Sequence, residues 1–377
     1  MFSPSNIICR IALTLLHLTL PLSIAPALAA LDAEAGGNPP GLSRHTLEHD
    51  GIQREYLVFR PPGVETERLP LVLALHGYGT TASGLAEIYG LNTHAAAQGY
   101  SIVYPQGSQF MGRFGDDPDS ELYFVTTWND LAMNFTPSPG GELHCTEDRL
   151  KFPCPPECGS CNRCAWTSCH DDLGFLRRVL DQVEKQYPVD SSRVYIVGNS
   201  NGASMGMRLA CTDPQRFAAV TALILQMPPG LECSPGQSLP MFHLAGEKDD
   251  TGGFDGTPTS NGWIFSSIER TQQVWAEEMG CKGEPEAWRT AITDDHGLRC
   301  TAYTDCPGAS HEVVSCLDPE AGHEWRGQRD LTIPANCVYP LQANTFPDQP
   351  ACGSYFFDGE PWGMDMVWQF LSRYRRE

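Results

Sequence analysis

The sequence predicts an α/β fold, a mostly parallel central sheet flanked by helices, on three observations. Short apolar runs recur at 71–75, 101–104, 193–197, 220–225 and 241–245, the third of them β-branched. Runs of this kind suit parallel strands that are covered on both faces. Segments of helical period stand between them: Leu173, Leu176, Val179, Leu180, Val183 and Tyr187 fall on one face behind Asp171 and Asp172, and 203–210 opens a second helix. Strand and helix therefore alternate, and alternation favours a parallel sheet.

In chain order, residues 1–29 come first. Arg10 precedes the apolar run Ile11-Ala12-Leu13-Thr14-Leu15-Leu16, and Ala27-Leu28-Ala29 supplies the small residues of a cleavage site. The expectation is a secretory signal peptide. His17, Pro21 and Pro26 interrupt a run already short for a membrane span. Residues 30–377 are expected to form a single α/β domain. Residues 54–60 alternate in the manner of an edge strand, 71–75 is a buried strand, and 101–104 is another that ends at Pro105. The stretch 131–169 breaks the rhythm, being rich in Pro, Gly and Cys and without period; it reads as a disulfide-stapled insertion near the rim of the sheet. A second irregular stretch, 326–361, precedes a last helix at about 364–374 with Trp368 and Phe370 as packing anchors.

Export implies an oxidising compartment. Of the 15 cysteines, Cys9 leaves with the signal, and the even remainder is expected to pair. Cys154, Cys158, Cys161, Cys164 and Cys169, with His170 adjacent, also have a spacing that zinc accepts. With Cys145 they close into three disulfides whose connectivity the sequence leaves open, and disulfides are the preferred reading. Cys211 and Cys233 flank one connection; Cys281, Cys300, Cys306 and Cys316 form a second group, Cys337 and Cys352 a third. No metal and no cofactor is expected. The chain carries 25 basic and 46 acidic residues, a net charge of −21. Such a surface repels nucleic acid and anionic membranes, so neither is an expected partner. A monomer is expected.

The residues that carry chemistry begin at Gly198-Asn199-Ser200-Asn201-Gly202, set between the strand at 193–197 and the helix at 203–210. A G-x-S-x-G turn in that setting is the nucleophile turn of an α/β-hydrolase fold. The glycines let backbones approach without β-carbon clashes, and the helix N-terminus offers free N–H groups to developing negative charge. A serine needs a base within hydrogen-bond reach and a carboxylate to orient that base. The acid is expected in the turn after 241–245, with Asp249 first and Asp250 and Asp255 as rivals. Among His243, His296, His311 and His323, the base is expected to be His323, in Gly322-His323-Glu324-Trp325. The N–H groups of Asn201 and Tyr78 are the expected oxyanion hole, with His76 a structural residue beneath the Tyr78 turn. Trp128 and Trp325 are expected to contact substrate.

His76-Gly77, Tyr104-Pro105-Gln106-Gly107, Asp171-Asp172-Leu173-Gly174-Phe175, Ser191-Ser192-Arg193-Val194-Tyr195, the Gly198–Gly202 turn and Gly322-His323-Glu324-Trp325 appear in one order. Together they resemble the polyhydroxybutyrate depolymerase and feruloyl esterase group, carbohydrate esterase family 1 included. The resemblance runs from about Arg54 to the C-terminus. It implies a secreted serine ester hydrolase working through an acyl-enzyme, without cofactor, with the triad on Ser200, Asp249 and His323. The implied substrate is a plant-polysaccharide ester, feruloyl first and acetyl second; the alternative is poly(3-hydroxybutyrate) or its oligomers. The chain departs from the group at Thr251-Gly252-Gly253-Phe254, where a Val-Pro-Tyr-like sequence is usual, and in the Cys154–Cys169 insertion. A further alternative is a non-catalytic secreted binding protein on the same scaffold, although such a protein normally lacks a triad member.

Overall fold

The structure is a computed structural model and describes residues 37–130, 137–233, 235–327, 333–353 and 362–376. The expected signal peptide at 1–29 lies outside these residues, as do parts of both irregular stretches. In chain order the elements are β1 (Leu42–His49), β2 (Ile52–Phe59), β3 (Leu69–Leu75), α1 (Ala82–Ile88), α2 (Leu91–Gln98), β4 (Ser101–Pro105), β5 (Ser108–Gly112), β6 (Tyr123–Thr127) and α3 (Asp172–Gln186). There follow β7 (Val189–Asn199), α4 (Asn201–Thr212), β8 (Ala219–Leu223), β9 (Met241–Gly246), α5 (Ile268–Met279), β10 (Glu286–Trp288), α6 (Ala291–Asp295), β11 (Arg299–Tyr303), β12 (Val313–Asp318) and α7 (Trp362–Leu371).

Ten strands make one sheet in the order β1-β2-β4-β3-β7-β8-β9-β12-β11-β10. The six from β4 to β12 run parallel, and both flanks turn antiparallel. Every residue of β3, β8 and β9 is buried, because helices cover both faces. Alternate residues serve opposite sides: Leu71, Leu73, Ile196, Val220 and Met241 pack toward α3, α4 and α5. Val72, Ala74, Tyr195, Val197 and Phe242 pack toward α1, α2 and α7. Each fully buried Leu or Ile of this kind contributes about 1.5–3 kcal/mol. The topology and the two helical layers are those of an α/β-hydrolase.

The edges differ from the sequence reading. The strand expected at 54–60 lies inside the sheet, because β1 pairs along its whole length with β2 through the turn at Asp50-Gly51, where φ is 55° and 73°. At the far edge β12 is followed back by β11 and β10. The polar, half-exposed sequences of β1 and β11 lack the apolar runs that mark central strands. Phe370 is buried in α7 as expected, and Trp368 stacks on Tyr100 at 4.1 Å.

All fourteen cysteines beyond the expected signal peptide pair, each within its expected group. In the insertion the bridges are Cys145–Cys164, Cys154–Cys161 and Cys158–Cys169, which leaves no thiolate there to hold zinc. The described part of the insertion holds a single short 3₁₀ turn, Pro156–Cys158, and otherwise runs irregularly. Phe152 and Trp166 from this stretch pack against Trp263 at 5.2 and 4.8 Å, with the Arg149 guanidinium over Trp263. Among the described residues no helix is long and apolar enough to cross a membrane.

Candidate active site

β7 ends at Asn199 and α4 begins at Asn201, so Ser200 alone makes the corner. It does so at φ 54° and ψ −124°, a conformation that costs an L-residue on the order of 1–3 kcal/mol. The flanking glycines are forced by contact: a β-carbon on Gly198 would stand 2.3 Å from Gly202 O, and one on Gly202 would stand 2.3 Å from Leu75 O. The corner is pinned by Ser200 N–H donating to Leu223 O at 2.8 Å.

Three strand ends converge here. Ser200 follows β7, Asp249 follows β9 and His323 follows β12, all at carboxyl ends of parallel strands, where α/β sheets present their functional loops. Ser200 Oγ lies 2.9 Å from His323 Nε2, and His323 Nδ1 lies 2.8 Å from Asp249 Oδ2. Asp249 also accepts the N–H groups of Thr251 at 2.8 Å and Gly252 at 2.6 Å on its other oxygen. A carboxylate so satisfied accepts from Nδ1–H, which leaves Nε2 free to take the serine proton. The rivals are elsewhere: Asp250 is exposed, and Asp255 bonds to Thr257 on the surface. The departure at Thr251-Gly252 has a local reason, since a β-carbon on Gly252 would stand 2.7 Å from Asp249 Oδ2.

The loop after β3 approaches Ser200 so closely that a β-carbon on Gly77 would stand 3.2 Å from the serine β-carbon. Gly77 O accepts from His76 Nδ1 at 2.8 Å and from Thr80 N–H at 3.2 Å. Tyr78 N–H, on the opposite side of that peptide, has no acceptor among the described residues. Asn201 N–H lies in the unpaired first turn of α4. His76 accepts Gly107 N–H on Nε2 at 2.9 Å, and burial pushes its pKa down to about 4, so it is neutral under the turn. His243 is a second buried neutral histidine, also at about 4, near Leu225 O.

Sequence reasoning missed the Asn201 side chain. Its Oδ1 accepts from Trp128 N–H at 2.8 Å and its Nδ2 donates to Asp130 Oδ2 at 2.9 Å. It ties the segment after β6 to the serine corner, and nothing in the five-residue pattern announces that. The two expected substrate-contacting tryptophans need correction. Trp128 is fully buried, with Nε1 donating to His76 O at 2.9 Å. Trp325 is buried against Tyr89, ring centroids 4.7 Å apart. Large rings beside the site are drawn into the core and support its loops from below. The cavity at Ser200, about 240 Å³, is lined instead by Gly77, Tyr78, Thr80, Ile88, Tyr89, Asn199, Ile224, His323, Glu324, Ile333 and Ala335.

The class these features define is an α/β-hydrolase carrying a serine–histidine–aspartate arrangement. No family model matches the chain. A protein of Nocardia uniformis subsp. tsuyamanensis, NocK, named as an esterase by inference, is 29% identical over 293 residues, 74% of this chain and 72% of that protein. Feruloyl esterase B of Piromyces equi is 27% identical over 161 residues, 41% of this chain and 29% of that protein. The match to Feruloyl esterase B of Talaromyces stipitatus spans 55% of this chain and 41% of that protein at 25% identity. Among solved structures, an acetyl xylan esterase from Aspergillus awamori aligns over 74% of this chain and 94% of its own at 15% identity, with a TM-score of 0.46. The chain is similar to these esterases in sequence, and its fold is that of an α/β-hydrolase.

Proposed function

We propose that this carboxylic ester hydrolase uses Ser200 as its nucleophile, and that its substrates are plant-polysaccharide esters, feruloyl first and acetyl second. Ser200 Oγ attacks the ester carbonyl while His323 Nε2 takes its proton, and Asp249 holds the imidazole in the required tautomer. The N–H groups of Asn201 and Tyr78 receive the oxyanion; each such donor is worth on the order of 10²–10³ in rate. The alcohol departs with the proton from His323. Water, deprotonated by His323, then attacks the acyl-enzyme, releasing the acid and restoring Ser200.

The observation that carries this reading is the unbroken hydrogen-bond sequence from Ser200 through His323 to Asp249. The substrate class is supported by the names of the two feruloyl esterases and by a cavity whose walls include Tyr78, Tyr89, Ile88 and Ile224, which suits an aryl or short aliphatic group. The dense disulfides fit export to an oxidising compartment. The test is hydrolysis of methyl ferulate, p-nitrophenyl acetate and a 3-hydroxybutyrate oligomer, beside fluorophosphonate labelling and a Ser200→Ala control. Ferulate-selective turnover that needs Ser200 is the expected result. Preference for the oligomer replaces the substrate, and no Ser200-dependent turnover or labelling removes the catalytic reading.

A further inference from the structure

One charged group at the cavity takes no part in the ester cleavage above. Glu324 follows His323 directly, is half-buried, and lines the same cavity as Ser200, Tyr78 and Ile224. Its carboxylate has neither a hydrogen-bond nor an ion-pair partner among the described residues. Several buried carboxylates elsewhere are answered by arginine: Asp318 by Arg326, Glu312 by Arg373, Glu55 by Arg44. Glu324 Oε2 reaches back so far that a β-carbon on Gly322 would stand 2.9 Å from it. Across the cavity the Tyr89 phenol is held protonated well above its ordinary range, first by burial and then by the Glu324 charge.

A half-buried carboxylate without a partner is tolerated while water reaches it. Substrate entering the cavity displaces that water, so the substrate must replace the lost donor. A hydroxyl does so. A second carboxylate does not, and adds repulsion between like charges in a pocket screened less well than open solvent. We propose that Glu324 is a specificity residue of the ester site: it accepts a hydrogen bond from a hydroxyl of a neutral substrate and turns away esters that carry a free carboxylate near the scissile bond. The inference rests on the catalytic reading of Ser200 and sharpens its substrate class. Hydroxyl-rich, sugar-linked esters satisfy Glu324; a short hydroxybutyrate oligomer offers one terminal hydroxyl but brings a terminal carboxylate that Glu324 repels.

The experiment compares two pairs of near-isosteric esters, one charged on the alcohol side and one on the acyl side. They are 3-acetoxybenzoate against 3-acetoxybenzamide, and the 4-nitrophenyl half-ester of adipate against its amide. The wild-type chain should favour the amide of at least one pair by about ten-fold in kcat/KM, the size expected for one like-charge contact at intermediate dielectric, narrowing as salt rises. Glu324→Gln should cut that preference to about three-fold or less, while Glu324→Asp, which keeps the charge, retains most of it. Glu278→Gln, the same charge change in the last turn of α5, should leave the preference in place. A wild-type preference near one in both pairs, or one that survives Glu324→Gln, overturns the proposal. Absence of Ser200-dependent hydrolysis of the neutral amides would instead sink the catalytic reading on which it rests.

Discussion

At the carboxyl ends of β7, β9 and β12, a few turns hold Ser200, Asp249 and His323 by backbone contact with a buried sheet. Across the contact between Tyr78 and Phe152, ring centroids 5.2 Å apart, the stretch 137–169 contributes no strand of its own to the sheet. It is closed by three disulfides and a cluster of aromatic rings around Trp263. The first region is ordered by burial alone, the second by burial of Trp166 and its neighbours together with covalent closure of short loops. The two should therefore fail under different insults, acid for one and reductant for the other, and the comparison is open to experiment on both sides.

The largest effect belongs to the sheet side. Ser200→Ala is expected to lower ester hydrolysis by roughly five to six powers of ten, as removal of a triad nucleophile does elsewhere. It should not lower stability, because the side chain makes one hydrogen bond at a strained corner. Ser200→Gly, which relieves the φ of 54°, should raise the unfolding midpoint by about 1 kcal/mol equivalent. A midpoint that falls in both variants would show that the corner is not strained.

Acid comes next. His76 and His243 are buried and neutral, with folded pKa values of about 4 against 6.5 for the free group. Below pH 6.5 the unfolded chain takes up protons that the folded chain refuses, so stability falls as pH drops from 6.5 toward 4. Each histidine withdraws up to about 3 kcal/mol across that window. Denaturant titrations at pH 7 and pH 4.5 read the difference, and His243→Gln should flatten the slope. An unchanged slope in that variant would remove His243 from the account.

On the other side, Cys158→Ser with Cys169→Ser opens a loop of sequence separation 11, worth about 3 kcal/mol on the chain-entropy model. The loss should be confined to 137–169, seen as faster proteolysis there while fluorophosphonate labelling of Ser200 persists. Labelling lost in step with proteolysis would mean that the two regions are one cooperative unit.

What the sequence disclosed follows the same division. The Gly198–Gly202 turn was legible because its glycines answer to backbone contacts that any such corner must make, and Ser200, His323 and the Asp249 loop came with it. Asp249 over Asp250 was not legible, since the choice depends on the amides of Thr251 and Gly252. The cysteine groups were legible as groups, but spacing does not encode which sulfurs meet. β1, β10 and β11 escaped notice because half-exposed antiparallel edges carry polar residues that resemble loops. Trp128 and Trp325 were misplaced for a related reason: adjacency in sequence to a site says little about which side of the backbone a large ring will occupy. Glu324 lay in plain view beside His323, yet only the cavity gives it meaning.

The smallest effect lies at the seam itself. The Tyr78 ring packs on Phe152, while its hydroxyl is buried without a hydrogen-bond partner, and burial holds the phenol protonated far above its usual range. A buried hydroxyl left unsatisfied costs roughly 1–3 kcal/mol, so Tyr78→Phe, which keeps the ring and deletes the orphan, should raise the unfolding midpoint by about 1 kcal/mol equivalent. Tyr78→Ala removes the ring and should lower it by about 2 kcal/mol, with faster proteolysis of 137–169. If the ring is the joint between the two regions, the two substitutions move stability in opposite directions. A loss in both would mean that the hydroxyl has a partner, and a loss in neither would mean that the disulfides alone hold the insertion against the serine corner.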